Sequence, residues 1–161
     1  MLFKSKKSLD EERNYSLLPQ DDYELIISKV EPDIQPKFNA KPDKKTGEIP
    51  QEEIVNIILE VMNCKDGSDP IDEEGKDARG RKVFFTARPG SSGFMKDGTP
   101  SKTRSLVAYA LGKDVEEDLE FENWENLLEK VVYAEIIQKT NTKGFKKNVI
   151  SRFVLPPKDK R

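Results

Sequence analysis

Arginine and lysine interleaved with phenylalanine can capture a single-stranded polyanion, because the cations neutralise phosphates while flat rings stack on unpaired bases. Two stretches of this 161-residue chain have that make-up. Residues 79–104 hold seven bases (Arg79, Arg81, Lys82, Arg88, Lys96, Lys102 and Arg104) against one acid, Asp97. Residues 139–161 hold eight (Lys139, Lys143, Lys146, Lys147, Arg152, Lys158, Lys160 and Arg161) against Asp159 alone. Phe84, Phe85, Phe94, Phe145 and Phe153 lie inside these stretches. The net charge of the chain is −2, but its acids collect elsewhere, at 66–77 and 114–129. An acidic total is therefore compatible with a basic groove.

The candidate nucleic-acid-binding set is Arg79, Arg81, Lys82, Phe84, Arg88, Phe94, Lys96, Arg104, Lys139, Lys143, Phe145, Lys146, Lys147 and Arg152. Neighbouring strand residues face opposite sides, so at least one of Phe84 and Phe85 belongs to the core. If Phe84 points outward it shares a face with Lys82, and if Phe85 does it shares one with Arg81. Burial of both in opposite layers is the alternative. Phe94, in the loop Gly-Ser-Ser-Gly-Phe-Met-Lys, is a candidate stacking ring or a loop anchor. Phe145 follows Gly144 at a hairpin tip beside Lys146 and Lys147, which reads as a contact loop or as a solvated lysine-rich turn. Tyr23, Tyr109, Tyr133 and Trp124 read as core.

Several chemistries are excluded or disfavoured. The chain has no His, so it has no His-based triad, base or metal ligand, and its one Cys makes no internal disulfide or Cys-rich zinc site. Cys64 reads as a reduced, half-buried strand residue. A carboxylate-metal nuclease needs only Asp and Glu, but the acidic runs read as a loop and a solvated helix face. The glycines at 90 and 93 lack the Gly-Lys-Ser/Thr ending of a phosphate-binding loop. A non-enzyme without cofactor or metal is expected. No apolar run approaches a membrane span and the first residues lack a signal-peptide core, so a soluble, cytoplasmic protein with no membrane contact is expected.

The elements that must position the candidate residues follow from pattern. Residues 1–18 read as a charged arm, 19–157 as one domain and 158–161 as a short basic tail. Strands are predicted at 22–31, 52–64, 80–88, 130–139 and 145–155. Pro32 and Pro36 are expected to end the first, whose apolar residues fall on two phases, as in a two-sided or bulged strand. Val55, Ile57, Leu59 and Val61 alternate in the second, where β-branched density outweighs the helical hint of Glu52 and Glu53. The stretch 32–51 reads as a long loop with Lys44-Lys45-Thr46-Gly47. Ser101 or Thr103 is expected to cap a helix ending at Gly112, and 113–129 to form a short amphipathic helix. Three strands, a helical segment and a hairpin predict a mainly β fold: an OB-fold-like five-stranded Greek-key barrel with one or two short helices between strands 3 and 4. Other five-stranded barrels, and a sheet with one helix layer, fit the same order.

Three segments carry a resemblance. Residues 18–31 (LPQDDYELIISKVE), 124–136 (WENLLEKVVYAEI) and 143–153 (KGFKKNVISRF) resemble the first, fourth and last strand regions of small phage-encoded OB-fold proteins that bind single-stranded DNA. The likeness extends over residues 18–157. Family members often have Gly before the fourth strand where this chain has Glu129. The chain ends Lys158-Asp159-Lys160-Arg161, so partner recruitment through an acidic tip is not implied. The resemblance implies sequence-tolerant single-stranded DNA binding in phage replication or recombination, in the host cytoplasm, with replication or recombination proteins as further partners. The alternative is a protein-interaction module of a phage or replisome assembly, docking through the acidic helix at 114–129.

Overall fold

The computed structural model describes residues 16–37, 40–89, 98–120 and 123–160. The fold is mainly β. Five strands, β1 (Asp21–Pro36), β2 (Gln51–Cys64), β3 (Lys82–Ala87), β4 (Val131–Thr140) and β5 (Lys146–Val154), form one antiparallel sheet in the order β3-β2-β1-β4-β5. Among the described residues, one helix, α1 (Lys102–Ala110), and a 3-10 turn (Trp124–Leu127) lie between β3 and β4. No helix among the described residues is long and apolar enough to cross a membrane.

Alternation builds the core. Val55, Ile57, Leu59 and Val61 of β2 are all buried, which makes the segment a strand and removes the helical reading. Leu25 and Ile27 of β1, Val83 and Ala87 of β3, Val132, Ala134 and Ile136 of β4, and Ile150 and Phe153 of β5 line the same side. Leu106, Val107 and Ala110 of α1 close over it. Each fully buried aliphatic chain contributes about 1.5–3 kcal/mol relative to exposure.

The two phases of β1 come from a bulge. The β1–β2 register shifts between Ile27 and Lys29, and the Ser28 hydroxyl donates to the Ile58 carbonyl at 3.1 Å. Tyr23, Leu25 and Ile27 face inward before the extra residue, and Val30 after it. Pro32 and Pro36 do not end the strand, contrary to the sequence expectation, because β4 pairs with β1 only as far as Ile26. Beyond that point β1 has an open edge, where a proline loses no ladder bond. The Ile34 N–H on the same edge donates to Asp33 Oδ1 at 2.8 Å. Positions 32, 34 and 36 therefore offer no free donor to a foreign strand, which protects the edge from aggregation.

The expected closed barrel is not formed: among the described residues no ladder joins the edge strands β3 and β5. β3 is only six residues long, and Pro89 follows soon after it. Side chains hold the seam instead. Phe85 and Phe153 meet edge to face, with centroids 5.2 Å apart and planes at 83°. Lys102 Nζ donates to the Ile150 carbonyl at 3.2 Å, and Thr103 Oγ1 accepts from Arg88 N–H at 3.0 Å, so the start of α1 bridges both edges. Ser101 caps α1 by accepting from Arg104 N–H at 3.1 Å. Gly112, at φ 70°, ends it with N–H bonds from Gly112 to Tyr109 and from Lys113 to Ala108. The second predicted helix is reduced to the turn Trp124–Leu127. Acids crowd this stretch without interleaved bases, and like charges three or four residues apart oppose a helix.

Candidate nucleic-acid interface

The register decides which phenylalanine faces out. Phe85 pairs with Ile57, and Val83 and Ala87 with Leu59 and Val55, all of which are core positions. Phe84 must then stand on the opposite face, where it is 70% exposed, with Lys82 and Thr86 on either side. Across the sheet Phe84 is opposite Ile58, which is itself opposite Lys29 of β1. Thr86 and Asn56 are hydrogen-bonded neighbours at 3.3 Å. The outer β2–β3 face is thus an apolar patch, Phe84 over Ile58, bordered by Lys82, Lys29, Thr86 and Asn56, with Glu60 directly opposite Lys82. Lys29 has a weak partner in Glu31 at 3.6 Å, both largely exposed.

The β4–β5 hairpin carries the second group. Lys139 is directly opposite Lys147, and Thr140 opposite Lys146. Asn141 builds the loop: its Oδ1 accepts from Lys143 N–H (2.9 Å) and Phe145 N–H (3.0 Å), while its N–H donates to the Phe145 carbonyl (2.8 Å). Gly144 supplies the left-handed position, φ 83°. This small network holds Phe145 at the tip, 47% exposed. Lys139, Lys143, Lys146 and Lys147 are exposed and take no ion pair with any described residue. Like charges directly opposite on paired strands are destabilising, so the hairpin holds a positive patch that an external anion would relieve.

The other candidate cations are held by the protein itself. Arg81 donates to Asp72 Oδ2 at 2.9 Å and to the Ser16 carbonyl. The Asp72 side chain is 1% exposed and also accepts from the N–H groups of Glu74 and Lys76, both at 2.9 Å. The Lys76 N–H first, then Arg81 and the Glu74 N–H, outweigh desolvation and hold the Asp72 carboxyl below the usual carboxylate range. Arg79 bonds to Asp69, Asp77 and Asn63, fastening the β2–β3 loop. Arg104 donates to the carbonyls of Val115 and, at 2.7 Å, Glu117. Arg88 pairs with Glu52, and Arg152 loosely with Glu135 at 3.7 Å. Phe94 and Lys96 lie outside the described residues.

The structure therefore brings Lys82 and Phe84 together on one face, and Lys139, Lys143, Phe145, Lys146 and Lys147 on one hairpin. Phe145 lies eight residues before Phe153, the ring that touches β3. At about 3.3 Å per residue, the hairpin tip is roughly 25 Å along β5 from that contact. Sequence reasoning missed Lys29, Ile58 and Asn56, which only the register places beside Phe84. It read 32–51 as a loop without assigning its lysines, yet Lys37, Lys41, Lys44 and Lys45 are all exposed on the segment joining β1 to β2. There Asp43 Oδ1 accepts from the N–H groups of Lys45 (2.7 Å) and Thr46 (3.0 Å), turning the chain sharply. Their signal was the Lys44-Lys45-Thr46-Gly47 run itself.

Burial, more than the surrounding acids, pushes the Cys64 thiol up, so it is no ready nucleophile. Among the described residues no group of three or more Cys, Asp or Glu side chains converges to hold a metal ion. No protein-family model matches the chain, and no curated protein sequence matches it.

Proposed function

We propose that the protein is a non-catalytic, sequence-tolerant single-stranded DNA-binding protein, with an OB-fold-like sheet left open along the β3–β5 seam. The strand order β3-β2-β1-β4-β5, with α1 between β3 and β4, is what such a barrel has when that seam is not hydrogen-bonded. In OB-folds the strand 2–3 face and the loops between strands 1–2 and 4–5 take oligonucleotides. Those are the three places where this chain exposes Phe84, the lysines of residues 37–45, and Phe145 with its four lysines. The observation that carries the reading is the pairing of an exposed ring with exposed lysine that takes no ion pair with a described residue, at two separate sites: Phe84 with Lys82, which has Glu60 opposite it, and Phe145 with Lys139, Lys143, Lys146 and Lys147. Lysines would hold phosphates and the rings would stack on bases, at about 1–3 kcal/mol per base. A role in phage replication or recombination in the host cytoplasm rests on the family resemblance.

The test is a fluorescence-anisotropy titration of labelled oligo-dT beside a duplex of equal length, at two salt concentrations. Salt-sensitive binding to the single strand and weak binding to the duplex are expected. No binding to either at low salt would overturn the proposal.

A further inference from the structure

A cleft of about 860 Å³ opens between the end of α1, the start of β4 and the segment after β5. It shares no residue with the Phe84 face or the lysine hairpin. Its walls are apolar, formed chiefly by Met62, Tyr109, Leu111, Val131, Leu155 and Pro156. Val131 and Leu155 are 40% and 48% exposed at its rim. At its floor lies a carboxylate, Glu24, in a residue only 7% exposed. Glu24 Oε2 accepts from the Tyr133 hydroxyl at 2.8 Å, and Oε1 from Asn63 Nδ2 at 3.1 Å. Burial alone would push this carboxyl up, but the bonds from Tyr133, Asn63 and Lys160 outweigh it and hold it below its ordinary value.

The remaining partner is unusual in its origin. Lys160, from a three-residue 3-10 turn near the end of the chain, reaches back to Glu24 Oε2 at 3.3 Å, with its own side chain 56% exposed. A half-solvated pair of this kind is worth little, whereas a buried carboxylate left without a cation is costly. The C-terminal end of α1 and Asp114 add negative potential near the mouth, which Lys113 beside them offsets, so the charge left to answer is that of Glu24. The cleft thus sets one buried carboxylate among apolar walls, and the cation paired with that carboxylate, Lys160, is half exposed.

We propose that this cleft docks a lysine side chain presented by a hydrophobic segment of a partner protein, with Glu24 as counter-ion and Lys160 as the resident substitute it displaces. A closed pocket would suit a free amine; the exposed Val131 and Leu155 beside an open mouth suit a segment whose neighbouring apolar residues lie along the rim.

The probe is a labelled peptide Leu-Lys-Leu-Leu, capped at both ends, with an analogue in which norleucine replaces the lysine. Binding to the full chain is followed by anisotropy. Lys160→Ala is expected to tighten the lysine peptide about three- to tenfold, and Glu24→Gln to weaken it at least tenfold. The norleucine peptide should respond to neither. Should Glu24→Gln fail to fold, Leu155→Asp at the exposed rim should weaken both peptides in a folded protein. Equal affinity for the two peptides, no gain in Lys160→Ala, or no binding to wild type and Lys160→Ala alike would overturn the proposal.

Discussion

The segment around β3 and the β4–β5 hairpin have similar inventories of bases and phenylalanines, and the fold uses them in opposite ways. Around β3, Arg79, Arg81, Arg88 and Arg104 each bond to a carboxylate or carbonyl of the protein, and of the described candidate cations there only Lys82 takes no ion pair with a described residue, although Glu60 is opposite it on β2. On the hairpin, four lysines face solvent and take no ion pair with a described residue. The difference follows chemistry. The arginine fork makes several directed bonds at once and suits a structural clamp, whereas a lysine ammonium is a hydrated point charge on a flexible stem. Charge density along a sequence therefore overstates the free positive charge where arginines sit near acids, as Arg79 does between Asp69 and Asp77. It is a better guide where lysines crowd a hairpin without acids.

The sharpest way to break this comparison is to remove the hairpin lysines. Replacing Lys139, Lys143, Lys146 and Lys147 with glutamine should reduce the salt dependence of oligo-dT binding by about 3 in the log–log slope, from four phosphate contacts at about 0.7 each. Thermal stability should hold or rise, because the Lys139–Lys147 repulsion is gone. An unchanged slope would remove the hairpin from the interface.

Phe84→Ala comes next. At 70% exposure the ring contributes little to the core, so the melting temperature should stay within a few degrees while affinity falls by about 1–3 kcal/mol, roughly 5- to 150-fold. Phe145→Ala should cost less, nearer the lower bound, since its ring is already half covered. If Phe84→Ala melts much earlier with affinity intact, the ring is structural after all.

Arg81→Ala and Lys82→Ala set the two kinds of cation side by side on neighbouring residues. Arg81→Ala leaves the buried Asp72 with its two N–H donors but without its cation, so urea unfolding should shift to lower denaturant while the folded protein binds DNA as before. Lys82→Ala should leave unfolding unchanged and weaken binding a few-fold. Reversal of the two outcomes would refute the division between structural and binding bases.

Much of the architecture was legible. The alternation of Val55, Ile57, Leu59 and Val61, a cap at Ser101 or Thr103 and the Gly112 stop are local signals, and the structure chose Ser101 for the cap. The prolines of β1 misled because their effect depends on whether a neighbour strand pairs there, which only the sheet order reveals. The open seam was equally hidden, since nothing in β3 or β5 alone says whether they pair. The placement of the candidate residues was legible in part. Lys82, Phe84 and the hairpin were named from composition, but the choice of Phe84 over Phe85 needed the register with β2. Setting Arg79, Arg81 and Arg104 aside needed partners up to 65 residues away, as Ser16 is from Arg81.

The smallest expected effect is a pH response that separates the same two regions. With no His in the chain, no side chain of the type that ordinarily changes charge between pH 5 and 8 sits on the hairpin, so oligo-dT affinity should be flat across that range. The clamp around Asp72 behaves differently in acid. Its carboxyl is held below the usual range in the folded protein, so the stability it confers is fully present above the ordinary carboxylate value near 4 and is lost as pH falls through the lower folded value. Asp72→Asn should therefore narrow the difference between urea midpoints at pH 7 and pH 3, though only in part, because Glu24, Asp43, Asp66 and Asp77 are shifted the same way. An affinity that rises several-fold from pH 8 to pH 5 would mean that a titrating carboxylate, rather than lysine alone, governs contact with the strand, and the division drawn between the two regions would fail.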